Sequence, residues 1–267
     1  MMLQQTLFRF PAAFMLLLMC IVAAGGCAAM MPSGSAKVKE EQMLYSQAQQ
    51  AFEARDYADA ASLFQLFLDR FPESEKATWA LQRMGESCEG LLAVEYTKPV
   101  EEGADEEAVR TSFLDRFGGY DCWDEKGSML TYNLRHYRAI LEDHPDCDIA
   151  DEAAYRVITW EQDYRGLPEG PQRELEALEA VLEKYPTTSL RHEILYKMAY
   201  RCHVLYELYS FSPQVALRNA EKAQQYRRKA VYLYRLSMAS GRHSPYAEQA
   251  WQGLSMLEEG RRVYVLQ

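Results

Sequence analysis

The sequence has no apolar run long enough to cross a membrane comfortably, although one charge-free stretch extends from Pro11 to Gly26. A transmembrane helix needs about 20 consecutive apolar residues, so this stretch has instead the length of the apolar region of a signal peptide. The motifs G-x-S-x-G and H-E-x-x-H and the P-loop are absent, which removes common signatures of serine hydrolases, zinc proteases and nucleotide-binding enzymes. We therefore predict a protein that is not an enzyme and that uses no cofactor, metal ion or small-molecule substrate.

Positive charge is scarce, because 39 acidic residues outnumber 29 basic ones and give a net charge of −10. Removal of residues 1–26 would take away Arg9 and no acid, which makes the remaining chain still more negative. This balance argues against nucleic acid as a partner and against a polybasic attachment to anionic lipid. Hydrophobic residues nevertheless make up 48% of the chain, enough to bury a sizeable core.

The chain has six cysteines but no C-x-x-C pair, so thioredoxin-type chemistry and c-type haem attachment have no support. Cys27 stands at an informative position, directly after Ala24, Gly25 and Gly26 and at the end of the apolar stretch. Small residues before a cysteine are typical of a bacterial lipoprotein signal, in which a peptidase leaves the cysteine as the new N-terminal residue. We predict lipidation of Cys27 with several acyl chains, palmitate among them, because one chain alone anchors a protein only marginally.

One feature of the signal leaves an alternative open. Ala24 occupies a position where such signals usually have leucine, and cleavage near Val22–Ala24 would make this an ordinary secretory signal. Bacterial lipoproteins that stay in the inner membrane tend to have aspartate directly after the lipidated cysteine. This chain has Ala28 there and so resembles the lipoproteins of the outer membrane. The predicted location is therefore the periplasmic side of the outer membrane.

Four further cysteines remain, and four thiols in an oxidising compartment allow three pairings. We predict Cys122 and Cys147 as the pair if a disulfide exists, because each lies in or beside a turn-rich stretch. Free or buried thiols are the alternative. A zinc site could be drawn from these two cysteines with His136 and His144, but His144 occupies a repeat position at which aromatic rings stand elsewhere.

Helical periodicity dominates from about Lys39 onward, and strand signals are almost absent, so the predicted fold class is all-α. Residues 66–74, 140–147 and 181–188 share an apolar pair, an acidic residue, a ring-bearing side chain and a proline. Each predicts a helix end and a turn, followed by Ser, Thr or Asp residues that can cap the next helix. A looser fourth copy surrounds Pro245.

Apolar side chains recur at spacings of three and four after these turns, which places them on one helix face. The members are Ala77, Ala80, Leu81, Met84 and Cys88, then Leu190, Ile194, Met198, Cys202 and Leu205, then Ala250, Leu254 and Leu257. We predict a signal peptide, a flexible tether, first repeats, an irregular acidic and glycine-containing insertion, later repeats and a C-terminal tail. Their ranges are 1–26, 27–38, 39–90, 91–127, 128–258 and 259–267, with a short helix from about Asp105 to Phe117.

The first unit resembles a tetratricopeptide repeat. It has small residues at Ala48 and Ala60, aromatic residues at Tyr57 and Phe64, and a terminating Pro72. The resemblance implies a right-handed superhelix of tetratricopeptide-like helical hairpins, whose surface binds protein partners. The later units lack the small residues.

A lipoprotein signal, a short tether and a repeat array resemble the BamD (YfiO) family of outer-membrane lipoproteins. This resemblance implies a scaffold in outer-membrane β-barrel protein assembly. The alternative is a cell-envelope adaptor of the Tol-Pal or peptidoglycan type, because the CpoB-like periplasmic repeat proteins share the Phe-Leu-x-x-Phe-Pro-x-Ser turn. The insertion at 91–127 departs from both families.

The C-terminal half is rich in tyrosine and arginine, residues that are enriched at interfaces. This pattern allows a partner-binding face, whereas the spacing of four between Tyr196 and Tyr200 favours a core role. The arginines could then pair with Glu207 or Glu221. The residues concerned are Tyr196, Tyr200, Tyr206, Tyr209, Tyr226, Tyr232, Tyr234, Arg201, Arg227, Arg228 and Arg235.

Overall fold

A computed structural model describes residues 34–126, 129–160, 164–241 and 243–264. Helices dominate these ranges, which confirms the all-α fold class. No helix within them combines the length and the apolar character that a membrane span requires. The predicted signal peptide and Cys27 lie outside the described residues. By contact density the chain divides into residues 1–43 and a compact unit of residues 44–267.

The helices have the following bounds. They are α1 Gly34–Glu53, α2 Tyr57–Arg70, α3 Ala77–Leu91, α4 Lys98–Glu101, α5 Glu106–Phe117, α6 Arg135–Asp143, α7 Ala150–Arg156, α8 Glu169–Lys184, α9 Arg191–Phe211, α10 Ala220–Ser240 and α11 Pro245–Glu258. A π-helical segment, Leu92–Thr97, follows α3, and 3-10 turns occupy Gly118–Tyr120 and Val215–Leu217. The first helix begins at Gly34, inside the segment predicted as a tether, because residues 36–41 include good helix formers such as Ala, Lys and Glu.

The predicted repeat turn is present in four copies with one hydrogen-bonding pattern. In the first copy, the N–H groups of Phe71, Ser74 and Ala77 donate to the carbonyls of Phe67, Phe71 and Ser74. The same relay runs through residues 144, 147 and 150, then 185, 188 and 191, then 241, 244 and 247. In each copy the first N–H donor is the residue directly after the helix, and the second and third donors lie three and six residues further along the chain.

The hydroxyl groups in these turns act differently from the prediction. Ser74 and Thr188 accept hydrogen bonds from the N–H groups of Lys76 and Leu190, two residues ahead, at 3.0 and 3.1 Å. They stabilise the turn itself rather than capping the helix that follows. Ser244 is a true N-cap, because its Oγ accepts from the N–H of Ala247 at 3.3 Å.

The predicted apolar stripes form two buried clusters in the compact unit. The first lies among α2, α3, α6 and the segments between them and contains Ala60, Phe64, Met84 and Tyr137. The second lies among α8, α9, α10 and α11. Helix α7 contributes to both, since Ala153 belongs to the first cluster while the next two residues, 154 and 155, pack on the second.

The irregular segment 91–127 contains the expected short helix, α5, which is capped by the carboxylate of Asp105 on the N–H of Ala108. It also contains a strand that we did not predict. Strand β1, Trp123–Lys126, pairs antiparallel with β2, Met129–Tyr132, and Trp123 lies opposite Tyr132. The indole of Trp123 packs at 4.9 Å against the ring of Phe113 on α5. This contact joins the hairpin to the first core.

Candidate functional site

A cleft of about 750 Å³ opens where the two hydrophobic clusters meet. Its walls come from both clusters and from the loop that links α7 to α8. Aromatic rings and charged groups share the lining. The lining residues are Glu89, Asp124, Thr131, Tyr132, Asn133, Leu134, Arg138, Glu152, Tyr155, Arg156, Ile158, Thr159, Trp160, Leu190, Glu193 and Tyr246.

One wall is the end of the β-hairpin. Leu134 has a φ of 61°, in the left-handed region that a leucine seldom adopts. Hydrogen bonds of the neighbouring residues stabilise this backbone conformation. The side chain of Asn133 accepts one from the N–H of Arg135 at 3.1 Å. The N–H of Asn133 in turn donates to the carbonyl of Cys122 at 3.0 Å. Strained backbone of this kind is concentrated at functional sites in proteins.

Arg156, at the end of α7, sits among three carboxylates. Its guanidinium lies 3.7 Å from Glu86, 3.0 Å from Glu89 and 3.5 Å from Glu152. Burial raises the pKa of Glu89, and Arg156 opposes that shift. The positive charge of Arg156 is therefore already balanced within the protein.

Glu193, on α9, faces the cleft between two phenols. The hydroxyl of Tyr155 donates to Oε1 of Glu193 at 2.7 Å. Burial, reinforced by a hydrogen bond to Glu193, raises the pKa of Tyr246 to about 12. Both tyrosines are thus protonated donors at neutral pH, and they hold the carboxylate in an orientation fixed by α7 and α11.

A buried ion pair supports the loop at the floor of the cleft. Nε of Arg201 donates to Oε2 of Glu174 at 2.7 Å, and the hydroxyl of Tyr164 donates to the same oxygen at 2.8 Å. The guanidinium of Arg201 also lies over the indole of Trp160, 4.8 Å from its centroid. The loop from α7 to α8 is therefore attached to the second core at Trp160 and at Tyr164.

The lining of the cleft combines acidic and aromatic side chains. Four carboxylates and two guanidinium groups line it, so its net charge is negative when all are ionised. The rings of Tyr155, Trp160 and Tyr246 line the same cleft as the carboxylates of Glu152 and Glu193. Aromatic faces and carboxylates together attract the ammonium or guanidinium group of a lysine or arginine and the apolar stem that carries it.

The predicted disulfide partners occupy different surroundings. Cys122 is buried beside Cys88, with their sulfur atoms 3.2 Å apart. Cys147 is half-buried and lies in the second repeat turn. Cys202 is buried in the second core. Pairing of Cys122 with Cys147 therefore remains a prediction from the sequence.

The predicted histidines show no zinc site among the described residues, where no group of three His, Cys, Asp or Glu side chains could hold a metal ion. His136 is buried, and its Nδ1 lies 2.9 Å from the hydroxyl of Tyr132. His203 is buried in α9, with Nδ1 3.4 Å from the hydroxyl of Tyr234. Both histidines thus pair with tyrosines inside the cores.

The tyrosines of the C-terminal half pack mainly in the second core, with Tyr209 and Tyr234 buried and Tyr232 63% exposed. Glu207, one of the carboxylates suggested as an arginine partner, lies on α9, and Nε2 of His203 lies 3.3 Å from its Oε1. Its two carboxylate oxygens accept hydrogen bonds from the backbone N–H groups of Val263 and Tyr264, at 2.7 and 3.0 Å. We call residues 261–264 the tail segment.

Sequence reasoning missed the residues that line the cleft. Glu152, Tyr155, Glu193 and Tyr246 are dispersed over three helices, and none belongs to a motif. The one signal in the sequence was the position of Tyr246, directly after the proline of the fourth repeat turn. No protein-family model matches the chain, and no curated protein matches it.

Proposed function

We propose that this protein is a lipid-anchored scaffold of the bacterial cell envelope that binds protein partners on the periplasmic side of the outer membrane. The acidic, aromatic cleft carries this proposal, because it offers a preformed surface for a basic and apolar segment of another protein. The four copies of one turn support tetratricopeptide-like hairpins stacked as a right-handed superhelix. The lipoprotein signal ending at Cys27 supports the anchor. The best candidate process is outer-membrane β-barrel protein assembly.

The partner-binding role is tested by photo-crosslinking in the protein's own cells. A benzoyl-phenylalanine in place of Tyr246, in the cleft, should capture a protein of the barrel-assembly machinery. The same substitution at Tyr232, an exposed tyrosine on α10 outside the cleft lining, is the control and should capture far less. Capture of a Tol-Pal or peptidoglycan-binding protein at Tyr246 would support the adaptor alternative instead. Equal labelling at both positions would count against the cleft.

The anchor is tested separately with an alkyne fatty acid. Wild-type cells should incorporate the label into this protein and retain it in the outer-membrane fraction. Cys27→Ala should abolish both results, because the acylated thiol is missing. A wild-type protein that carries no label and fractionates with soluble proteins would refute the lipid-anchored form of the proposal.

A further inference from the structure

Two buried thiols face each other in the first hydrophobic cluster. Sγ of Cys88, on α3, lies 3.2 Å from Sγ of Cys122, which directly precedes β1. Both side chains are fully buried. Because sulfur atoms in a disulfide are about 2.05 Å apart, a bond would need them to approach by only about 1 Å.

The backbone holds both cysteines in place. The carbonyl of Cys88 accepts the N–H of Leu92 in regular helical fashion. On the other side, the carbonyl of Cys122 accepts the N–H of Asn133 at 3.0 Å, and the guanidinium of Arg135 donates to the carbonyl of Asp121 at 3.0 Å. Neither sulfur atom is carried by a free loop, so their approach is a property of the packed core.

We propose that Cys88 and Cys122 form a disulfide bond that ties α3 to the β-hairpin. In the reaction each thiol loses its proton and the pair gives up two electrons as the new S–S bond forms. A small-molecule or protein disulfide accepts these electrons, breaks its own S–S bond and leaves as two thiols. The bond forms while the chain is folding, before the core closes around the sulfur atoms, because thiolate is the attacking species and burial in the folded state disfavours it.

The bond has a direct consequence for the cleft. Cys88 precedes Glu89, and Cys122 lies two residues before Asp124, and both of these acidic residues line the cleft. The disulfide would fix the separation of the two walls that they belong to. It would also close a loop between positions 34 residues apart. For a loop of that length we expect reduction to lower Tm by roughly 5–10 °C.

Peptide mapping of the full-length chain tests the pairing. The protein is denatured, reduced, refolded with oxidised and reduced glutathione, alkylated with N-ethylmaleimide and digested with trypsin without reductant. Trypsin should release Cys88 in peptide 84–110, Cys122 in 117–126 and Cys147 in 139–156. We expect a disulfide-linked species of 84–110 with 117–126. Cys147→Ser should leave it unchanged, whereas Cys88→Ser should abolish it and leave Cys122 alkylated.

Two results would overturn the pairing: alkylation of both Cys88 and Cys122 in the refolded wild-type chain, or linkage of 117–126 to 139–156. Because the wild-type chain decides the matter, a variant that fails to fold does not weaken the test. The pairing does not rest on the proposed function. A chain alkylated directly in its own cells should already carry the bond in an oxidising periplasm. A bond seen after refolding but not in cells would support the pairing and contradict the periplasmic location.

Discussion

Gly90, on α3, leaves room for a hydrogen atom and nothing larger. A Cβ at this position would lie 2.6 Å from the ring of Tyr57, the aromatic residue at the start of α2. We expect Gly90→Ala to lower the free energy of unfolding by up to about 2 kcal/mol, because overpacking of about 1–3 kcal/mol outweighs the gain in helix propensity. Urea denaturation measures the change. Gly119→Ala is the control, since nothing lies within 4 Å of its Cβ, and an equal loss in both variants would contradict the steric explanation.

Two buried histidines make the stability of the protein depend on pH. Burial lowers the pKa of His136 and of His203 to about 4, with smaller contributions from Arg135 and Arg227 respectively. In the unfolded chain both titrate near 6.5. Between these values the unfolded state binds more protons than the folded state, so acid favours unfolding. We expect the free energy of unfolding to fall by up to about 1.4 kcal/mol per pH unit for each histidine as the pH drops from about 6.5 to about 4.

Urea titrations at intervals between pH 7 and pH 4 measure this slope. His136→Gln and His203→Gln should each reduce the slope of the unfolding free energy against pH by the contribution of one titrating proton. His243→Gln, at an exposed position, is the control substitution. Burial raises the pKa of Glu89 and of Glu207. These two carboxylates therefore bind protons more readily in the folded state and oppose the loss of stability at acid pH. The comparison of variants isolates the histidines, and unchanged slopes in both glutamine variants would refute their role.

Among the elements, α9 contacts the tail segment through the carboxylate of Glu207 and the hydroxyl of Tyr200, which donates to the carbonyl of Val263 at 3.5 Å. Glu207 is buried and accepts two backbone N–H groups, while the guanidinium of Arg262 lies 4.6 Å from the ring centroid of Phe211. Glutamine offers only one carbonyl oxygen to these donors. We expect Glu207→Gln to speed amide hydrogen exchange at Val263 and Tyr264 by at least tenfold. Glu221→Gln, exposed on α10, is the matched control, and unchanged protection in Glu207→Gln would show that the carboxylate does not retain the tail.

The helices themselves were largely predictable from the sequence. Proline after a ring-bearing residue marked the ends of α2, α6 and α8, and spacings of three and four identified the inward faces of α3, α9 and α11. The turn proved to be a backbone hydrogen-bond relay in which serine, cysteine and threonine occupy the same position. The hairpin was missed because β1 reads Trp-Asp-Glu-Lys, and two adjacent acids with a lysine give little strand signal.

The cleft was less predictable than the helices. Its residues come from segments far apart in the chain, so only tertiary packing brings Tyr155 to Glu193. The same holds for Cys88 and Cys122, which are 34 positions apart. Turn composition favoured Cys147 as the partner of Cys122, whereas the short distance between Cys88 and Cys122 could be seen only in the folded chain. Periodicity therefore determines which faces are buried and leaves open which residues meet.

For the whole molecule, α7 couples the two hydrophobic clusters within one compact unit. Phe64 is fully buried in the first cluster, and truncation of such a side chain typically costs about 3–5 kcal/mol. We expect Phe64→Ala to lower the protection of the slowest amides in α9, in the second cluster, by a similar amount. Native-state hydrogen exchange measures it. Trp251→Ala, at a side chain 61% exposed on α11, should change little. Loss of protection confined to α2 and α3 would show that the clusters unfold independently.

The contact between the tail segment and the loop from α7 to α8 also sets an order of events during synthesis. The N–H of Gly166 donates to the hydroxyl of Tyr264, a residue 98 positions later. A ribosome adding about 5–20 residues per second takes on the order of 5–20 s to cover that distance. Helix α9 is completed part-way through this interval, at Phe211, and from then until Val263 and Tyr264 are added the carboxylate of Glu207 lacks its amide donors. The nascent chain therefore has a period in which this helix is accessible to folding factors, and the arrival of Tyr264 ends it.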